Sequence, residues 1–150
     1  MKSSKEYIDQ LIQKLDELVP LQRNVDADKT IANGNVAVCL IDEAGEVFGK
    51  LFVNDNKIRT RESFRIAWIK ASQVWLTGMK TGEFEKKVYS GELSERISGI
   101  NKPDFIGWEG GQPITLNDST KLSVGFSGFR GVTDLEIVLK AVKQMEVAGK

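Results

Sequence analysis

Residues 107–131 read GWEGGQPITLNDSTKLSVGFSGFRG and contain two strand patterns joined by a turn. The first pattern covers residues 112–116, and in the second, residues 122–126, apolar residues alternate with polar or small ones. Between them, residues 117–120 are Asn-Asp-Ser-Thr, whose side chains bond to nearby backbone and favour turns. Alternating patterns on both sides of such a turn predict a β-hairpin.

Glycine and proline define the ends of this hairpin. Gly110 and Gly111 precede the first strand, and adjacent glycines suit backbone that needs a positive φ or a close approach to another group. Pro113 fits an edge strand or the start of a strand, because proline cannot donate a backbone hydrogen bond. Gly131 is expected to let the chain turn from the second strand into a final helix.

Capping patterns predict where three helices begin. Ser3 with Glu6, and Thr133 with Glu136, have the spacing of a capping box, in which two side chains satisfy two free N–H groups reciprocally. Thr60 is a predicted N-cap for the helix that follows it.

Apolar periodicity supplies the other elements. The first helix is predicted to end at Pro20, and residues 36–41 and 47–53 form a second hairpin around a turn at 42–45. A short helix is predicted over Glu83–Tyr89. Leu93–Ile100 and Pro103 are interpreted as a mostly irregular crossing or another short turn of helix, and a continuation of helix near residues 25–32 is left open.

A long helix over Arg61–Thr77, ending at Gly78, is predicted to be the central packing helix. Its apolar stripe comprises Phe64, Ala67, Trp68, Ala71, Val74 and Trp75. The two tryptophans fit a core position and an interface position equally well. The order of elements predicts an α+β fold in which helices cover an antiparallel sheet.

The composition argues against several classes of protein. The 21 basic and 21 acidic residues give a formal net charge of zero, so no overall field attracts nucleic acid or an anionic membrane. No apolar run approaches the roughly 20 residues that span a bilayer. The N-terminus lacks the apolar segment of a signal peptide. We therefore expect a cytoplasmic protein that binds neither nucleic acid nor membrane.

The chain contains no histidine, which removes the commonest general base and the commonest metal ligand. The single Cys39 lies in the middle of a predicted strand, where a thiol usually packs as a small hydrophobic group. No metal site is predicted. Any chemistry would rest on Asp, Glu, Lys, Tyr, Ser or this one thiol.

Several segments, in their order and spacing, resemble the GlcG/HbpS family, also called the DUF336 or PduO C-terminal-like family. GGQPI at residues 110–114, VGFSG at 124–128 and TDLEIVLKAVKQM at 133–145 are similar to its C-terminal part. Upstream, residues 36–45 resemble its apolar strand with an Asp-x-x-Gly turn. Residues 63–71 resemble its S-x-x-I-A-x-x-K-A helix.

The resemblance implies one GlcG/HbpS-like domain over residues 1–150, with a profilin-like or PAS-like layered fold, that forms homo-oligomers. It also implies binding of haem or a related tetrapyrrole, or an accessory role in small-molecule catabolism. Without histidine, Tyr7, Tyr89, Met145 or Cys39 would have to replace imidazole as an iron ligand. Otherwise binding would rest on apolar stacking and on a cation at the propionates.

Five residues are predicted to bind a ligand: Lys70, Glu109, Gly110, Gly111 and Arg130. Lys70 occupies the lysine position of the resembled helix, which implies a ligand contact or an interface ion pair, with a solvated or snorkelling lysine as the alternative. Arg130 lies between glycines just before a predicted helix, where it can clamp a carboxylate or simply point into solvent. The expectation that these residues share one cleft follows from the fold alone.

Three functions stay open at this point. The first is a non-catalytic, oligomeric binding or accessory protein. The second is a small enzyme acting on an organic acid or carbonyl metabolite, with Lys70 or Glu109 as acid or base and Arg130 holding a carboxylate. The third is an assembly role without a small ligand.

Overall fold

The structure is a computed structural model that describes residues 3–28, 34–93, 107–116 and 119–148. These residues form four longer helices, α1 Ser4–Gln22, α2 Lys57–Thr77, α3 Thr81–Tyr89 and α4 Gly131–Ala148. The strands are β1 Val36–Asp42, β2 Val47–Phe52, β3 Gly111–Thr115 and β4 Lys121–Ser127. The predicted α+β class is confirmed.

The four strands form one antiparallel sheet in the order β2-β1-β4-β3. Both predicted hairpins are confirmed, since β1 pairs with β2 and β3 pairs with β4. The centre of the sheet is the pairing of β1 with β4, which joins the two hairpins. Residues 117 and 118 of the second turn lie outside the described residues.

Alternation along β1 divides its side chains between two cores. Val36, Val38 and Leu40 pack with apolar residues of α1 and α4 on one face of the sheet. Ala37 and Cys39 belong to the opposite face, which α2 covers. The sheet therefore lies between two helices on one side and one helix on the other.

A row of small residues crosses the face that α2 covers. In the strand register Gly49 lies opposite Cys39, Cys39 opposite Gly125, and Gly125 opposite Gly111. A Cβ atom on Gly125 would lie 2.1 Å from the Ala67 carbonyl oxygen, and one on Gly49 would lie 2.7 Å from the Phe64 ring. The row thus lets the backbone of α2 lie unusually close to the sheet.

Of the two positions left open for the tryptophans of α2, the structure excludes the core position. Trp68 and Trp75 stay 43% and 50% exposed. The helix instead buries Thr60, Ser63, Ile66, Ala67, Ile69, Lys70, Ala71, Gln73 and Val74. Because the small-residue row leaves no depth for an indole, small side chains face the sheet and the tryptophans lie outside.

Two of the predicted helix caps were wrong. α2 begins earlier, because the Asn56 side chain caps it by accepting from the Arg59 N–H at 3.0 Å, and Thr60 lies one turn inside. Thr133 also lies inside its helix, where its hydroxyl donates to Asp28 Oδ2 at 3.0 Å. The Thr133 side chain thus binds the distant Asp28, although the local pattern predicted that it caps its own helix.

The other helix ends agree more closely with the sequence. The capping box of Ser3 and Glu6 is confirmed, and Gly78 ends α2 with φ 72°. α1 continues past Pro20, because the Arg23 N–H reaches the Val19 carbonyl and closes a further turn. Most of the segment predicted to be irregular falls in residues 94–106, outside the described residues. No helix within the described residues is long and apolar enough to cross a membrane.

Gly125→Ala tests the close approach of α2. A methyl group 2.1 Å from a backbone oxygen forces the helix outward, and we expect the free energy of unfolding to fall by about 3 kcal/mol. Chemical denaturation measures this change. Gly82→Ala is the control, because its added carbon meets its nearest neighbour at 3.6 Å inside a helix and should be neutral or stabilising. Equal stability of both variants would contradict the packing described above.

Candidate functional site

A cleft of about 670 Å³ lies beside the N-terminal half of α2. Its walls are the start of α2, the segment at residues 108 and 109, and the turn from β4 into α4. Its volume falls within the range of small-molecule sites.

Asn35 fixes the wall that α2 provides. Its Oδ1 accepts from the N–H groups of Asn54, Asp55 and Asn56 at 3.1 to 3.2 Å, and from the Thr60 hydroxyl at 3.3 Å. Its backbone carbonyl accepts from the buried Ser63 hydroxyl at 2.9 Å. One buried side chain thus holds the loop that carries the first turn of α2, and with it Ile58 and Arg59, at the cleft.

The mouth of the cleft is apolar. Ile58 and Trp108 line it while remaining 83% and 66% exposed. Ile66 and Phe129 continue this surface inward and are buried. Two large exposed apolar side chains beside one concavity are typical of a ligand-binding surface.

The floor of the cleft contains a buried ion pair. Lys70 and Asp134 both line it, and their side chains are only 2% and 3% exposed. Lys70 Nζ donates to the Phe126 carbonyl at 2.9 Å and lies 3.4 Å from Asp134 Oδ2. The other carboxylate oxygen of Asp134 accepts from the Phe129 N–H at 3.0 Å. The structure therefore excludes the solvated alternative for Lys70, because its side chain is buried.

Burial dominates the titration of this pair. It lowers the pKa of Lys70, against the opposing attraction of Asp134 and Glu109. It raises the pKa of Asp134 to about 8, against the attraction of Lys70 and the Phe129 N–H. Both changes favour the less charged forms, and they bring the titration of Asp134 close to neutral pH.

Gly110 lies directly over the lysine. Its φ is +124°, and a Cβ atom there would be 2.7 Å from Lys70 Nζ and 2.4 Å from the Phe126 oxygen. Gly111 lies in the small-residue row, with its missing side chain facing Thr81, Val74 and the Lys70 carbonyl. The predicted need for glycine is confirmed at both positions, as a positive φ at the first and a close approach at the second.

Arg130 is bound to Asp28 and is not among the described residues that line the cleft. Its backbone N–H and its Nε donate to Asp28 Oδ1 at 3.0 and 3.1 Å, and Nη2 donates to Oδ2 at 3.2 Å. Gln22 and Thr133 also donate to this buried carboxylate. The predicted carboxylate clamp therefore holds a carboxylate of the same chain and anchors the turn at residues 128–131.

The structure brings Lys70 and Glu109 together at the cleft, and Gly110 lies next to the lysine amine. Gly111 packs against Thr81 and Val74, and Arg130 points to Asp28 and not into the cleft. Their roles in ligand binding stay predictions.

Sequence reasoning missed Asp134, which is 64 positions from Lys70 and carried only the signal of an acidic residue in the first turn of a helix. It also missed Trp108 and Ile58, whose only signal is a large apolar residue in a polar segment.

The fold and the cleft define the class, a layered α+β protein with a cleft of small-molecule size at one end of its sheet. The family model described as haem degrading protein HbpS-like matches residues 21–143, and the chain belongs to this family. The predicted family is thus confirmed. No curated protein matches the sequence significantly.

Three solved structures share the fold. A PduOC:heme complex superposes with a TM-score of 0.68 at 18% identity, covering 95% of this chain and 94% of that one. The DUF336 protein ORFY of Klebsiella pneumoniae gives 0.67 at 18% identity, with 93% and 87% covered. HbpS gives 0.62 at 15% identity, with 97% and 91% covered. At these identities the likeness establishes the fold alone.

Asp28→Asn tests the anchor of the turn. Burial alone would raise the pKa of Asp28, but hydrogen bonds from Arg130, Gln22 and Thr133 together lower it from 3.8 to about 2. A lowered carboxyl pKa adds stability above the unfolded pKa, and this stability is lost as the pH falls from about 4 towards 2. We expect the variant to lose about 2 kcal/mol of unfolding free energy at pH 7.

Denaturant unfolding at pH 7 and pH 2.5 measures this loss, and the gap between wild type and variant should narrow at the lower pH. Asp16→Asn is the control, since the Asp16 carboxylate pairs with Lys50 at 45% exposure and should contribute little. A gap of the same size at both pH values would show that the charge of Asp28 does not stabilise the turn.

Proposed function

We propose that this protein is a homo-oligomeric accessory protein that binds haem or a related tetrapyrrole in the cleft. Membership of the HbpS-like family supports the ligand class, and so does the heme that is named in the PduOC complex. An apolar groove formed by Val47, Trp68, Trp75 and Leu76 supports self-association, because these side chains are 43 to 51% exposed.

The observation that carries the proposal is the chemical division of the cleft. An apolar mouth with Ile58 and Trp108 suits the faces of a planar ring. Arg59 and Lys70 line the same cleft and provide cations for acidic substituents of such a ring. A cleft of about 670 Å³ accommodates a ligand of this class in part or in whole.

The residues fit the ring and its acid groups better than they fit an iron ion. Cys39 is fully buried in the sheet, and Tyr7 and Met145 pack against the core of α1 and α4. Tyr89 lies at the exposed end of α3. None of the predicted substitutes for imidazole is among the described residues that line the cleft. We therefore assign binding to the apolar walls and cations of the cleft and not to a side chain that ligates the iron.

Trp108→Ala tests the ligand and its place together. We expect purified protein to give a saturable change in the Soret absorbance of haemin, and the variant to bind at least about tenfold more weakly because the ring loses an aromatic contact. Trp68→Ala is the matched control, since that indole lies in the groove on the outer face of α2.

Light scattering on the same samples reports the oligomeric state. A wild type that gives no saturable change would refute the tetrapyrrole proposal. Equal loss in both tryptophan variants would refute this cleft as the site. A monomeric mass would refute self-association.

A second candidate function is proton transfer on a bound organic acid or carbonyl compound. One observation favours it, the burial that raises the pKa of Asp134 to about 8 beside an amine at the floor of the cleft. Asp134→Asn would then retain the ligand and lose turnover by at least about a hundredfold, as steady-state kinetics would show. A variant with full turnover would exclude Asp134 as the acid or base.

A further inference from the structure

We infer that the cleft recognises its ligand through a carboxylate, which binds at the Lys70–Asp134 pair while Asp134 holds a proton. The inference rests on the proposed function in one respect, namely that the cleft is a ligand site. It adds the functional group that is recognised, the atoms that recognise it, and a pH dependence of binding.

The geometry leaves Lys70 able to donate further. An ammonium group has three N–H donors, and the described residues account for two of them, at the Phe126 carbonyl and at Asp134 Oδ2. A Cβ atom on Gly110 would lie 2.7 Å from Nζ, so only a glycine lets the backbone lie this close to the amine. Both groups of the pair line the cleft, and we assign the third donor to a ligand oxygen there.

The charges around the amine explain why Asp134 must be protonated when the ligand binds. Asp134 faces Lys70 from α4, and Glu109 acts on it from the segment before β3. Arg59 and Glu62 of α2 itself line the same cleft, and Glu62 forms an ion pair with Arg65 at 2.6 Å. With Lys70 and Asp134 both ionised, an incoming carboxylate would meet the negative charge of Asp134 at close range.

Protonation of Asp134 reverses this situation. The pair then carries one positive charge, and the carboxyl group becomes a second donor beside the ammonium. Burial and the nearby Asp28 favour this form, whereas Lys70 and the Phe129 N–H oppose it. No covalent bond changes: below the pKa of Asp134 the carboxylate enters alone, and above it one proton enters with the carboxylate.

The ligand chemistry that fits is a carboxylate on an apolar body. A propionate of a tetrapyrrole and a free organic acid share this chemistry, since both place an acid group at the floor and apolar surface against Ile58 and Trp108. The two sources differ in size and are separated by the choice of probe.

The experiment compares haemin with its dimethyl ester, and 3-phenylpropanoate with its amide, at pH 6.5 and pH 9. Iron chemistry is common to haemin and the ester, so the ratio of their dissociation constants isolates the acid group. We expect wild-type protein to prefer haemin about tenfold at pH 6.5, as for a charge-assisted hydrogen bond, and to lose most of this preference at pH 9.

Two variants assign the effect to the pair. Asp134→Asn keeps an oxygen for the Phe129 N–H and supplies an amide donor in place of the protonated carboxyl, so it should keep the preference for haemin at pH 6.5. Lys70→Met should abolish the preference. Lys140→Met, on the exposed side of α4, is the matched control and should behave as wild type. If Lys70→Met does not fold, the Asp134→Asn variant decides alone, because loss of its preference at pH 6.5 would overturn the role of a protonated Asp134.

The outcomes separate the two proposals. Equal affinity for haemin and its ester, or a preference that is unchanged at pH 9 in wild type, overturns the carboxylate inference and leaves tetrapyrrole binding intact. Saturable binding of 3-phenylpropanoate with the expected pH and variant pattern, without any haemin binding, supports the inference and removes the tetrapyrrole. Binding of none of the four probes overturns both.

Discussion

The close contact between α2 and the sheet is the constraint on which the rest of the structure depends. Gly49, Cys39, Gly125 and Gly111 form a row that is too shallow for a larger side chain, so the helix backbone rests almost on the strands. The aliphatic part of the Lys70 side chain is buried in this contact, because a Cβ atom on Gly125 would lie 2.9 Å from the Cβ atom of Lys70. A packing requirement therefore places an amine where water scarcely reaches.

A buried ammonium must be paired, since an unpaired charge in the interior costs several kcal/mol. The Phe126 carbonyl and Asp134 satisfy it, and Asp134 is held in turn by the Phe129 N–H at the start of α4. The position of α4 relative to α2 is therefore tied to this one charge. The contact that buries the lysine also forms the floor of the cleft. Packing, charge pairing and the candidate site therefore depend on the same residues.

Polar contacts reinforce the apolar packing of two walls of the cleft. Asn35 gathers three backbone N–H groups at the entry to α2, and Asp28 gathers donors from Arg130, Gln22 and Thr133 at the entry to α4. Each anchor is a buried acceptor that satisfies several otherwise unpaired donors, which rigidifies the segment around it. Ile58 at the mouth and the buried Phe129 are thus carried on two fixed turns, and the segment of Trp108 is held separately by its carbonyl, which accepts from the Thr81 hydroxyl at 2.6 Å.

The sequence predicted the fold well wherever local rules operate. Strand alternation gave the hairpin of β3 and β4, an apolar run before turn residues gave that of β1 and β2, and Gly78 and the Ser3 capping box gave helix ends, because neighbouring residues decide these features. Prediction failed where a distant partner decides. Thr133 serves Asp28 across 105 positions, and glycines on other strands decide that the tryptophans of α2 stay outside the core. Lys70 lines the cleft, but no local rule pairs it with Asp134, and nothing in the sequence around Arg130 showed that its carboxylate partner lies within the chain.

Family membership defines the backbone fold, whereas the side chains at the cleft determine which ligand binds. Neighbours at 15 to 18% identity establish a shared backbone, while binding depends on individual side chains at the cleft. A chain without histidine offers a haem iron no imidazole, yet the faces and acid groups of a tetrapyrrole need none. Under the proposed function, affinity would therefore come from Trp108, Ile58 and a cation beneath them. Stability alone explains the presence of the buried Lys70–Asp134 pair poorly, because two well-packed apolar side chains at that depth often make a protein at least as stable as an ion pair does.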